Sequence, residues 1–148
     1  MAKRTERDAL GARDLPVAAL YGLQTARAMD SLAFSGRSLA SCPAYLQALL
    51  AVKQAAARAN LNARLFDERI AGAIESACKS FRSDAPAEAF PVDLFGGGGS
   101  IAINMNVNEV IANLANEELG GQRGRYSPID PKQHVNASQS TADVCHTA

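Results

Sequence analysis

Near the end of the chain the run HVNASQSTAD, residues 134–143, crowds Ser138, Gln139, Ser140, Thr141 and Asp143 into a few positions. Neutral hydroxyl and amide donors of this kind suit a small carboxylate held without a formal ion pair. A second candidate lies upstream, where Gly96, Gly97, Gly98 and Gly99 stand directly before Ser100 and the Asn-rich stretch INMNVNEV. A glycine turn that opens a helix gathers orphan backbone N–H groups at the positive end of the helix dipole, which makes an anion site. The anion is not a nucleotide phosphate. A P-loop needs Lys and then Ser or Thr after its last glycine, whereas Ser100 is followed by Ile101, Ala102 and Ile103. The dinucleotide fingerprint would place its third glycine at Ile101, with no strand of useful length before it. The alternative use of the glycines is a tight turn with positive φ packed closely on a neighbouring helix. Neither histidine has an identifiable partner that would make it a general base. His134 reads as a structural hydrogen-bonding residue, and His146 lies near the chain end.

The elements that must position these residues are helical. Residues 1–22 carry Gly11, Pro16 and Gly22 among short apolar clusters and read as an irregular arm or hairpin rather than a long helix. Residues 24–32 predict a short helix. Residues 44–60 predict a longer one, with Leu46, Leu49, Leu50, Ala56 and Ala59 near helical spacing. Asp67 is the expected N-cap of a third, whose stripe is Ile70, Ile74, Ala77, Cys78 and Phe81. The fourth, over 105–119, repeats Val107, Val110, Ile111, Leu114 and Ala115 at i, i+3, i+4, i+7 and i+8, and Gly120 and Gly121 stop it. Ser100 is the expected cap of its N–H groups. From Gln122 to the end the periodicity is lost, so 122–148 reads as an irregular, ligand-lining segment.

Composition narrows the function classes. The chain has 148 residues, 47% of them hydrophobic, which suffices for one domain with one core. Fifteen basic and fifteen acidic side chains cancel and are scattered, so nothing attracts nucleic acid or an anionic membrane. The charged opening MAKRTERDALGARD has no apolar run behind it, and a cytoplasmic location is expected. Cys42, Cys78 and Cys145 are odd in number and widely spaced, which fits neither a disulfide framework nor a metal site.

Four blocks then occur together: DALGARDLPVAALYGLQTARAMD, VKQAAARAN, FPVDLFGGGG with NMNVNEVIAN, and HVNASQSTAD. In them the sequence resembles the N-terminal domain of the aspartate ammonia-lyase (aspartase) and fumarase superfamily, along nearly its full length. The forms FPVDLF and QST at Gln139–Thr141 resemble aspartase more than fumarase. The resemblance implies a mainly α fold: a single lyase N-terminal domain over 1–148 with an irregular N-terminal arm, and the central helical bundle absent. It implies a dicarboxylate ligand, L-aspartate or fumarate, with Ser140 and Thr141 bonding carboxylate oxygens, no cofactor and no metal. Asn104 matches as a helix-start and packing residue.

The chain departs from the family at two substrate positions. Ile101 stands where the family has a threonine, and Ala142 where it has an asparagine; His146 stands where a proline is usual. Each lost hydrogen bond to a charged group costs about 1.5–3 kcal/mol, so the pair weakens binding on the order of a hundredfold. The family's catalytic histidine region, serine loop, and carboxylate-gripping lysine and asparagine have no counterpart in these residues, so no catalytic residue is assigned. The expectation is a truncated aspartase-like domain without activity of its own. The alternatives are an interaction module docking onto a lyase remainder, in a homo- or hetero-oligomer, and a free-standing small-carboxylate binder. With no central bundle to pack on, the apolar stripe of helix 105–119 or 44–60 is expected to be exposed.

Overall fold

The computed structural model describes residues 2–81, 85–96 and 100–148. Its elements run in the order β1 (Lys3–Asp8), β2 (Gly11–Pro16), α1 (Leu23–Ser31), α2 (Pro43–Asn62), α3 (Glu68–Ser80), α4 (Ile101–Glu118) and α5 (Thr141–Thr147). Short 3₁₀ turns at Leu39–Ser41 and Ala87–Ala89 and a π turn at Pro131–Val135 join them. Among the described residues no helix is long and apolar enough to cross a membrane.

The mainly helical architecture agrees with the sequence reading, and two local expectations are corrected. Of the two readings of the arm, irregular or hairpin, most of it is the hairpin, an ordered antiparallel pair with Lys3 opposite Pro16 through Asp8 opposite Gly11. Its strands lack apolar alternation because only Glu6 and Leu15 are buried. What holds the following loop is Arg4, whose guanidinium donates to the carbonyls of Pro16, Val17, Ala19 and Tyr21. The segment after Gln122 is also partly regular, since it contains the π turn and α5. Finally, α4 begins at Ile101, and its stripe is not exposed: Val107, Val110, Ile111 and Ala115 are all 0% accessible.

The central helix is buried on every side, with α1, α3, α5 and the π turn packed around it. Asparagines on α4 serve the loops that reach it. Asn113 donates to Leu20 O and accepts from Gly124 N, while Asn116 donates to Ile129 O and accepts from Ile129 N. Glu109 supplies the start of α1. Its carboxylate accepts the backbone N–H groups of Gly22, Gln24 and Thr25 at 2.8–3.0 Å, and Glu6 accepts that of Leu23. A helix N-terminus otherwise leaves those donors unpaired. Gly22 is required there, because a Cβ would lie 1.9 Å from the Tyr126 hydroxyl and 2.8 Å from the Glu109 carboxyl. Burial lifts the Glu109 carboxyl above its ordinary pKa, even against the hydrogen bonds it accepts.

The predicted N-cap of α3 is present: Asp67 accepts from Ile70 N at 2.9 Å. Arg58 and Glu75 then clamp α2 to α3 through two bonds of 2.7 and 2.6 Å. On α2 the buried face continues from Leu46, Leu49 and Leu50 through Lys53, Ala57 and Asn60, rather than through Ala56 and Ala59.

Candidate functional site

The two stretches singled out by their chemistry meet at the N-terminal turns of α4 and α5. Asn104, in the first turn of α4, donates from Nδ2 to Thr141 Oγ1 at 3.0 Å and to Asn136 Oδ1 at 3.0 Å. Cys145 of α5 points its Sγ at the Ser100 carbonyl, 3.8 Å away. Ile101 is 59% accessible at the head of α4, and Ala142 is exposed in the first turn of α5. Thus Ile101, Ser140, Thr141 and Ala142 lie around one pair of helix starts. Gly97, Gly98 and Gly99 lie outside the described residues, so the glycine turn enters only through Gly96. A Cβ at Gly96 would press on the Asp93 and Leu32 carbonyls at 3.3 Å.

The two hydroxyls are not equivalent. Ser140 is the N-cap of α5: its Oγ accepts from Asp143 N at 3.1 Å and donates to Asp143 Oδ2 at 2.7 Å, so its proton is committed within its own turn. Thr141 receives the Asn104 amide on its acceptor side and keeps its O–H for another partner. Ser100 does not do what its position suggests. It sits at the start of α4 in a left-handed conformation, φ 64°, and its side chain makes no cap bond. His134 is structural, as expected. Its Nδ1 accepts from Asp130 N at 3.0 Å, and its ring lies against Phe66. His146 is exposed on the last turn of α5.

Beneath Thr141 is a polar cluster that the sequence reading missed. Lys53 of α2 is 0% accessible and donates to Asn136 Oδ1 at 2.9 Å and Gln139 Oε1 at 3.0 Å. Asn108 adds a third donor to Asn136 Oδ1 at 3.2 Å, and Asn60 donates to Ala137 O at 2.9 Å. Burial pushes the Lys53 amine down to about 7, with the thiols of Cys145 and Cys78 opposing that shift. The signal was present in the spacing. Lys53 and Asn60 fall at i+3 and i+10 from Leu50, on the apolar stripe of a helix where polar residues are not buried without a reason.

Across from α4, Asp93 organises the entry to the glycines. Desolvation raises its carboxyl, but the N–H groups of Ser35, Phe95 and Phe34 and the Ser35 hydroxyl more than offset this and hold it at about 2. A depression of about 280 Å³ opens here, lined by Asp93 to Gly96, Ser100, Ala102 and Ile103. A larger one, about 770 Å³, lies between the hairpin and the far end of α4. There Arg4 and Arg123 are already engaged by backbone carbonyls and carboxylates, so it offers no charge to a ligand. Among the described residues no three His, Cys, Asp or Glu side chains are placed to hold a metal ion.

An α4 enclosed by helices thus carries at its N-terminal end a threonine, Thr141, pinned by Asn104. Residues 11–148 match the lyase family, and the chain belongs to it. Among its relatives, the aspartate ammonia-lyase of Escherichia coli is 38% identical over 145 residues, and that of Pseudomonas fluorescens 43% identical. The class II fumarate hydratase of Nitrosomonas europaea is 42% identical. These matches cover 97–98% of this chain and 30–31% of the relatives, so the chain spans about a third of their length. A crystal structure described as fumarate lyase:delta crystallin from Brucella melitensis superimposes with a TM-score of 0.93 at 46% identity, over 97% of this chain and 34% of that one.

Proposed function

We propose that this chain supplies one wall of an aspartase-type dicarboxylate site, with Thr141 as its principal hydroxyl donor and Ser140 as a second donor once it turns from Asp143. The observation that carries the reading is the Asn104–Thr141 bond, which occupies the acceptor side of Thr141 and leaves its proton for a carboxylate oxygen. Both the Escherichia coli and the Pseudomonas fluorescens relatives are aspartate ammonia-lyases, and the FPVDLF and QST forms resemble aspartase more than fumarase. Ile101 and Ala142 weaken the site by removing a hydroxyl and an amide.

The 148 residues alone do not turn over. Within the described cluster the titratable group is Lys53, which is fully buried and cannot meet a substrate proton. Purified protein should therefore show no formation of fumarate from L-aspartate and no hydration of fumarate, followed by ultraviolet absorbance. Turnover that survives repurification and disappears in a Ser140→Ala, Thr141→Ala variant would overturn this. In a chimera that joins this chain to the rest of an aspartate ammonia-lyase, Ile101→Thr with Ala142→Asn should tighten succinate binding about a hundredfold; equal affinity in the unaltered chimera would clear those two positions of blame.

A second role, docking onto a lyase remainder or a further subunit, is favoured by one observation. Phe34, Phe95 and Ile101 are 59–67% accessible, Ile101 heading α4 and Phe34 and Phe95 donating their backbone N–H groups to Asp93.

A further inference from the structure

The cluster under Thr141 is wired in series. Lys53 donates to Asn136 and Gln139; Asn136 Oδ1 also accepts from Asn104; and Asn104 gives its other amide proton to Thr141. No carboxylate bonds Lys53 among the described residues. The titratable groups facing it are thiols, Cys78 from α3 and Cys145 from α5, and its remaining polar neighbours are the neutral amides of α4 and of residues 136 and 139. A neutral amine matches its two protons to these two acceptors, whereas an ammonium brings a third. Asn104 Oδ1 and Asn108 Oδ1 are buried without a partner among the described residues.

We propose that Lys53 and Asn104 are the positioning residues of Thr141: Lys53 fixes Asn136, Asn136 anchors Asn104, and Asn104 sets the direction of the Thr141 hydroxyl. The inference rests on the reading in which that hydroxyl meets a carboxylate. A proton added to Lys53 needs a third acceptor, and the orphaned Oδ1 of Asn104 is the group that can turn to meet it. Turning it takes Nδ2 away from Thr141 and frees the threonine to spend its proton inside the protein. The protonation state of a residue that never touches ligand thereby decides whether Thr141 faces outward.

The test uses the 148-residue chain with ¹³C at lysine Cε and threonine methyls. Lys53 Cε and the Thr141 methyl should titrate with one midpoint, and the Thr141 step should vanish in Lys53→Met and in Asn104→Leu. Succinate should bind about tenfold more weakly below that midpoint than above it, a pH step that Lys53→Met removes. An Asp143→Asn control strips out the carboxylate that caps with Ser140. If the Thr141 methyl ignores the Lys53 titration, or keeps its step in Lys53→Met, the positioning role is wrong. If the two titrate together while succinate leaves Thr141 unmoved at every pH, the network stands and the carboxylate reading falls. The wild-type titration needs no variant, so a substitution that fails to fold leaves the test in place.

Discussion

The two halves of α4 bury asparagine in different ways. Toward the C-terminal end, Asn113 and Asn116 use both the oxygen and the nitrogen of their amides, each pinning a loop whose backbone would otherwise be unpaired. Toward the N-terminal end, Asn104, Asn106 and Asn108 donate but leave Oδ1 buried without a partner among the described residues. An orphaned buried acceptor costs about 1–3 kcal/mol. The C-terminal half fastens the fold; in the N-terminal half the spare acceptors of Asn104 and Asn108 belong to amides that share Asn136 with the buried Lys53, and Asn104 also bonds Thr141. Buried polarity of one residue type thus takes two forms on one helix, fully bonded at one end and half bonded at the other.

The largest effect should come from the saturated half. Asn116→Leu strips partners from both Ile129 N and Ile129 O, and should destabilise the chain by about 2–5 kcal/mol in urea unfolding. Asn108→Leu removes a 3.2 Å bond to Asn136 Oδ1, a weak 3.9 Å contact with Met105 Sδ and an unpaired oxygen, and should cost no more than about 1 kcal/mol. Equal losses would erase the contrast between the halves.

The next effect is in pH. Lys53 stays protonated up to its ordinary 10.5 in the unfolded chain but only to about 7 in the fold, so between those values the unfolded state binds more protons and stability rises with pH. The gain is at most about 1.4 kcal/mol per pH unit. It should be measured between pH 7 and 9, because burial pushes the Cys78 thiol up to about 12, so above its ordinary 9.0 that group offsets the rise. Lys53→Met should flatten that interval; an unchanged slope would mean that another group carries it. The smallest effect belongs to Ile101→Thr, whose side chain is mostly exposed, with an expected stability change within about 0.5 kcal/mol.

Sequence reasoning recovered what periodicity encodes. The stripe of α3 with its Asp67 cap, the extent of α2 to within two residues at each end, and the Val107–Ala115 core of α4 were all readable. It missed what depends on partners distant in the chain. The hairpin stood as one of two readings of the arm and could not be singled out, because Arg4 and paired backbone hold it rather than an apolar face, and α5 hid because seven residues are too few to show a period. At the candidate site, donor density pointed to residues 138–143 as a group, and the family resemblance picked out Ser140 and Thr141 together. Only the geometry separates them, since Ser140 spends its proton on Asp143 while Asn104 leaves that of Thr141 free. Lys53 escaped notice because a lysine in a helix reads as surface, and its burial is decided by residues 83 and 86 positions further along.

The cap that Glu109 places on α1 also orders events in time. During synthesis the first helix leaves the ribosome long before the residue that pairs its N–H groups, with 84 to 87 positions separating them. A nine-residue helix is too short to persist in water unaided. The opening of the chain, although made first, is therefore completed late, after α4 has emerged and its carboxylate can reach back across most of the polypeptide.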